Sequence, residues 1–163
     1  MQTKGSVFKY PDNVDTDVII PARYLNTPDH KELAAHCMED IDPDFHSKNH
    51  PGDIMIAGLN FGCGSSREQA PIALRQAQIA LVIAKGFARI FRRNSINIGL
   101  PVWAADVADG LKTGDRIEVD LEKGTVTVNG EVRQFQPMAE NVVKTLTYGG
   151  LIPRVRAELG ITD

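Results

Sequence analysis

The chain has 163 residues, 42% of them hydrophobic and 24% charged, with a net charge of −3. These values suit one globular domain with enough apolar content for a core. No basic block marks a nucleic-acid footprint, no apolar run is long enough to span a bilayer, and the start Met1-Gln2-Thr3-Lys4-Gly5 lacks the apolar stretch of a secretory signal.

Residues 1–50 read as turn-rich, with Tyr10-Pro11-Asp12-Asn13 and Asp15-Thr16-Asp17 before a short apolar run Val18-Ile19-Ile20-Pro21. Thr27-Pro28 has the form of an N-cap followed by proline, which predicts a helix from there to about Met38. Residues 53–59 read as a strand and 68–78 as a helix, with Ala70, Ala73, Leu74 and Ala77 on one face. The continuous apolar run 79–84 fits a strand covered on both faces. A helix over 87–97, stopped by Gly99, and a short strand over 100–104 follow. The pattern then turns to alternation: strands over 116–121, 125–128 and 131–135, joined by Glu122-Lys123-Gly124 and Asn129-Gly130. Helices over 138–146 and 153–159 close the chain. The expected architecture is one α/β domain, residues 1–163, with a parallel core and added β-hairpins.

Two cysteines, Cys37 and Cys63, make no disulfide framework and point to a reducing, cytoplasmic setting. They also fall short of the four thiolates, or three with an open position, of an iron–sulfur cluster. The four histidines lie between His30 and His50. His46 and His50 have ligand-like spacing but no evident third ligand, so no metal site is expected of this chain.

The stretch Leu59-Asn60-Phe61-Gly62-Cys63-Gly64-Ser65-Ser66-Arg67-Glu68-Gln69 lies between a predicted strand and a predicted helix, where ligands bind in open α/β sheets. Gly62 and Gly64 permit a tight turn and close approach of a ligand. Ser66 and Gln69 have the spacing of a capping box, and Arg67 adds a planar fork suited to a carboxylate or phosphate. Pro71 would crowd a helix begun at Arg67. The stretch is neither a P-loop nor a nucleophile elbow, and no histidine or acid is placed to activate Cys63. From these residues alone, a well-capped glycine turn and a ligand site are both open.

Gly62-Cys63-Gly64-Ser65-Ser66-Arg67-Glu68 resembles the Gly-x-Gly-Ser-Ser-Arg-Glu motif of the swivelling domain of aconitases. Asp15-Thr16-Asp17, the segment Phe87-Ala88-Arg89-Ile90 and the run from Asn94 to Pro101 resemble further family motifs, in the same order. The chain departs from the usual pattern at Gly86, where the family often has serine, and at Gln69, where many relatives have histidine. With its length, the chain resembles the separate small subunits of isopropylmalate dehydratases.

The resemblance implies an aconitase-type swivelling β/β/α domain and a hydro-lyase reaction, the isomerisation of 2-isopropylmalate to 3-isopropylmalate in leucine biosynthesis. It implies that Ser65 is the base and that Arg67, helped by Ser66, binds a substrate carboxylate. Thr16, Asp17, Gly62 and Gly64 support the site, with Asp17 expected to orient a histidine of a partner. The segment Tyr24, Leu25, Asn26 and Thr27, preceded by Arg23, is expected to face the substituent that differs between substrates. A [4Fe–4S] cluster is expected on a partner large subunit and none on this chain; a small dicarboxylate is the other expected ligand. The alternatives are the small subunit of a homoaconitase or a dimethylmalate dehydratase, or a non-catalytic carboxylate-binding module.

Overall fold

In the computed structural model, which describes residues 1–161, the turn-rich start opens with a strand, β1 (Gln2–Lys9). Sequence patterning misses it because its apolar side chains sit at one end: Val7 and Phe8 are buried, while Gln2, Lys4 and Lys9 face solvent. The strand has two partners. Residues from Gln2 to Ser6 run antiparallel to β5 (Arg116–Asp120), and Val7 to Lys9 run parallel to β2 (Ile54–Ala57).

β2 pairs with β3 (Leu81–Ala84) and β3 with β4 (Val102–Ala104), all parallel. Both β2 and β3 are buried along their whole length, as strands under crossover helices must be. On the other side of β1, β5 pairs with β6 (Thr125–Val128) and β6 with β7 (Glu131–Gln134), all antiparallel. Asn129 and Gly130 both take positive φ, the geometry that an Asn-Gly hairpin turn requires. The result is one seven-stranded sheet in the order β4-β3-β2-β1-β5-β6-β7, and the expected parallel core with added hairpins is the observed one.

The helices are α1 (Thr16–Ile19), α2 (His30–His36), α3 (Phe45–Lys48), α4 (Gln69–Gln76), α5 (Arg89–Asn97), α6 (Glu140–Thr147) and α7 (Leu151–Glu158), with a 3-10 turn at Ala22–Tyr24. Several begin later than their sequence signals indicate. Asp29, not Thr27, caps α2 by accepting from Lys31 N at 2.9 Å, and Thr27 Oγ1 accepts instead from Asp29 N. The same helix stops at His36, because Met38 turns to positive φ and donates its N–H to the Ile19 carbonyl at 2.8 Å. α5 starts at Arg89, because Phe87 is held in a bridge to Phe61.

Gly5 stands where β1 changes partners. A Cβ there would lie 2.2 Å from the Gly52 carbonyl oxygen, a backbone atom that cannot swing aside. Gly5→Ala is therefore expected to cost about 1–3 kcal/mol through overpacking, read as a lower urea midpoint with an unchanged slope.

Candidate active site

Two segments leave the sheet side by side and are laced together. Leu59 N donates to Asp12 Oδ1 at 2.7 Å, and Asn13 N to the Leu59 carbonyl at 2.9 Å. Gly62 N donates to the Val14 carbonyl at 2.7 Å, and Thr16 N to the Cys63 carbonyl at 2.9 Å. Asp15 both bridges to Cys63 and caps α1 through Val18 N. Thr16 is 2% exposed, and its hydroxyl donates to the Ser65 carbonyl at 2.7 Å. That bond fixes the backbone beneath the serine pair.

Gly62 is required twice over. Its φ is +82°, and a Cβ would lie 2.1 Å from Cγ of Phe91. Phe91 belongs to an edge-and-stack cluster with Phe61 and Phe87, with centroids 5.4 to 6.3 Å apart. Gly64 also takes positive φ, +87°, against the Asp15 side chain.

Ser65 and Ser66 are exposed, and Arg67 is half-buried. The expected capping box between Ser66 and Gln69 does not form: α4 starts at Gln69, with Glu68 in the cap position and no side-chain cap. Pro71 supplies the reason. With the helix starting late, the proline falls in the first turn, where its missing N–H has no intrahelical acceptor to lose. Residues 65–68 are thereby left as a loop.

The Arg67 guanidinium donates to the Ile20 carbonyl at 3.2 Å and pairs with Asp17, whose own side chain is 63% exposed. Asp17 thus faces Arg67 from within the same chain. A cleft of about 260 Å³ is walled by Ser65, Ser66 and Arg67 on the loop side and by Arg89, Ile90 and Asn94 on the α5 side.

Tyr24, Leu25, Asn26 and Thr27 do not line this cleft. Tyr24 stacks on His36 at 4.0 Å, donates to Glu39 Oε1 at 2.6 Å and lies under the Arg23 guanidinium. Leu25 is half-buried against the core, Asn26 is exposed, and Thr27 donates to Glu32. Arg23 is taken up by Glu39 and Asp40, at 2.6 and 2.8 Å. Sequence reasoning missed Glu39 and the cleft position of Arg89. Nothing in the sequence marks Glu39, whereas Arg89 stands inside a quoted family motif with no role attached.

The aconitase C-terminal domain model matches residues 3–105. The chain belongs to this family. Over 163 residues it is 53% identical to the 3-isopropylmalate dehydratase small subunit of Brachyspira hyodysenteriae, covering 98% of this chain and 100% of that one. It is 54% identical to the 2,3-dimethylmalate dehydratase small subunit of Eubacterium barkeri, over 96% of this chain and 98% of the relative. The crystal structure of 3-isopropylmalate dehydratase from Methanocaldococcus jannaschii superposes with a TM-score of 0.93 at 45% identity, over 99% of this chain and 97% of that one. Within the family, the chain stands with the dehydratase small subunits, components of hydro-lyases, and a small subunit implies a large one.

Glu39 ties the segment after Pro21 to the end of α2. Burial pushes its carboxyl up, but hydrogen bonds from Tyr24, His36 and Arg23 outweigh this and hold it at about 2, against an ordinary 4.5. A carboxyl lowered by folding contributes stability that is complete above pH 4.5 and is lost as pH falls toward 2. Glu39→Gln is expected to flatten the acid limb of stability within that window, read from urea midpoints of both proteins across the same pH values.

Proposed function

We propose that this chain is the small subunit of a 3-isopropylmalate dehydratase, with Ser65 as the base and Arg67 as a carboxylate-binding residue. The observation that carries the reading is the geometry around Ser65. Its carbonyl is pinned by buried Thr16, its side chain is exposed to the cleft, and a guanidinium anchored on Ile20 shares that cleft. The full-length likeness to dehydratase small subunits supports it.

On this reading, Ser65 Oγ takes a proton from the substrate carbon while hydroxide leaves the neighbouring carbon, giving an unsaturated diacid. Re-addition of water with the opposite orientation completes the isomerisation. A serine hydroxyl is a very weak acid, so the base is its alkoxide, which the Arg67 cation must stabilise in a site closed to water. Docking of a large subunit over the cleft provides the dryness, and swivelling of one part against the other admits substrate.

A [4Fe–4S] cluster does not fit this chain. Its cysteines are Cys37, which is 1% exposed with its thiol pushed up by burial to about 12, and Cys63 in the loop. Among the described residues, no group of three or more His, Cys, Asp or Glu side chains could hold a metal. On this reading the large subunit would hold the cluster, which would supply a Lewis acid for the departing hydroxyl.

Tyr24, Leu25, Asn26 and Thr27 lie outside the cleft, so their proposed contact with the substrate substituent requires the large subunit to extend the site over them. Arg23 is neutralised by Glu39 and Asp40, so this segment offers no free cation to a third carboxylate. Asp17 pairs with Arg67 and leaves most of its side chain exposed, open to the histidine of the large subunit that it is proposed to orient. A dimethylmalate dehydratase is the second reading, favoured by the 54% identity to the Eubacterium barkeri subunit.

The test is reconstitution with a cluster-loaded large subunit. The mixture should isomerise isopropylmalate, and the chain alone should be silent; robust turnover by the chain alone would overturn the reading. In the complex, Ser65→Ala should lower kcat by about 10²- to 10⁴-fold with little change in KM. Arg67→Lys should chiefly raise KM, since a point charge cannot replace a planar fork. Cys63→Ser should be mild. Higher kcat/KM for dimethylmalate than for isopropylmalate would select the second reading.

A further inference from the structure

Arg89 is the first residue of α5, is exposed, and lines the same cleft as Ser65 and Arg67. Among the described residues its side chain has no hydrogen-bond or ion-pair partner, and the cleft wall contains no carboxylate. Its position is unfavourable for a cation. Aligned peptide dipoles place partial positive charge at a helix start, the first turn of α5 has no acidic residue, and its cap makes no side-chain hydrogen bond. Arg92 and Arg93, one turn on and also exposed, add to the same field. Arg67 differs, because Asp17 and the Ile20 carbonyl already share its guanidinium.

A dicarboxylate brings two negative charges into this cleft, and removing either from water without a partner is costly. One half-neutralised arginine cannot match both. The cleft, about 260 Å³, sits near the lower end of ligand pockets, roughly 300 Å³, so a small diacid bound there comes within reach of both walls. We propose that Arg89 is the second carboxylate-binding residue, holding the substrate carboxylate that Arg67 does not. This inference rests on the dehydratase reading above. It makes the cleft a two-cation receptor for short diacids, with one guanidinium from the loop and one from α5.

The experiment uses the complex with the large subunit and compares Arg89→Gln and Arg89→Lys with wild type. Arg89→Gln should raise KM for isopropylmalate by about 10- to 100-fold, the range of a charge-assisted hydrogen bond, and more than it lowers kcat. A second readout separates charge recognition from general damage. Isopropylsuccinate, a diacid with no hydroxyl to lose, should inhibit wild type far better than either of its monomethyl esters. In Arg89→Gln that preference should collapse toward one, and Arg89→Lys should restore part of it. An unchanged KM with an unchanged diacid preference overturns the inference. So does a variant that only needs more large subunit to reach full activity, which would make Arg89 a docking residue. A wild-type complex inactive on every alkylmalate overturns the dehydratase reading and this inference with it, whereas failure at Arg89 alone leaves that reading standing.

Discussion

The backbone hydrogen bonds that stitch residues 12–16 to residues 59–65 hold the candidate site in shape. Each such bond is worth only about 0.5–1.5 kcal/mol net, yet together they leave the loop little freedom. Gly62 N is tied to Val14, Thr16 N to Cys63 and Thr16 Oγ1 to the Ser65 carbonyl. Thr16 is buried, so a lost partner there would strand a polar group away from water. The price of this close lacing is conformational: Gly62 must take a positive φ directly against the ring of Phe91.

The lacing is possible because of what β1 does. It runs parallel to β2, and β2 runs parallel to β3, so all three strands release the chain at the same end of the sheet. The segments that follow them contain Thr16 and Asp17, then Ser65 to Arg67, then Arg89 to Asn94. Pieces far apart in sequence thus meet at the carboxyl ends of parallel strands, where open α/β sheets place their ligands. The antiparallel hairpins on the other edge of β1 contribute no residue to the cleft. They cover the half of β1 that has left β2, and so keep the central strand of the sheet from having a bare edge.

Legibility from sequence followed burial. The run 79–84 could be recognised because it becomes a doubly covered strand with no polar residue to dilute the pattern. The Gly62–Glu68 motif could be recognised because glycine, serine and arginine in that order have few structural uses together. β1 was illegible because Gly5 and Lys9 leave Val7 without apolar neighbours on its face, and its pairing with β5 is more than a hundred residues away in sequence. The capping box at Ser66 misled because a local signal competed with Pro71, and the proline decided where the helix could begin. Glu39 was invisible because its three partners, Arg23, Tyr24 and His36, come together only after the chain reverses at Met38.

Arg67 and Ser65 are prepared to different degrees. Arg67 is fixed by its own chain, through a carbonyl on one side and Asp17 on the other, so the cation is in place before any partner arrives. Ser65 is fixed only through its backbone, and its side chain remains in contact with solvent. Water would level the basicity of any serine left there, whatever cation stands beside it. On the proposed reading, this asymmetry divides the chemistry between subunits: the small one supplies geometry, and exclusion of water must come from the surface that closes over the cleft. On the same reading, a base that becomes competent only after assembly cannot act on stray substrate beforehand, which gives a physical reason to keep base and Lewis acid on separate chains.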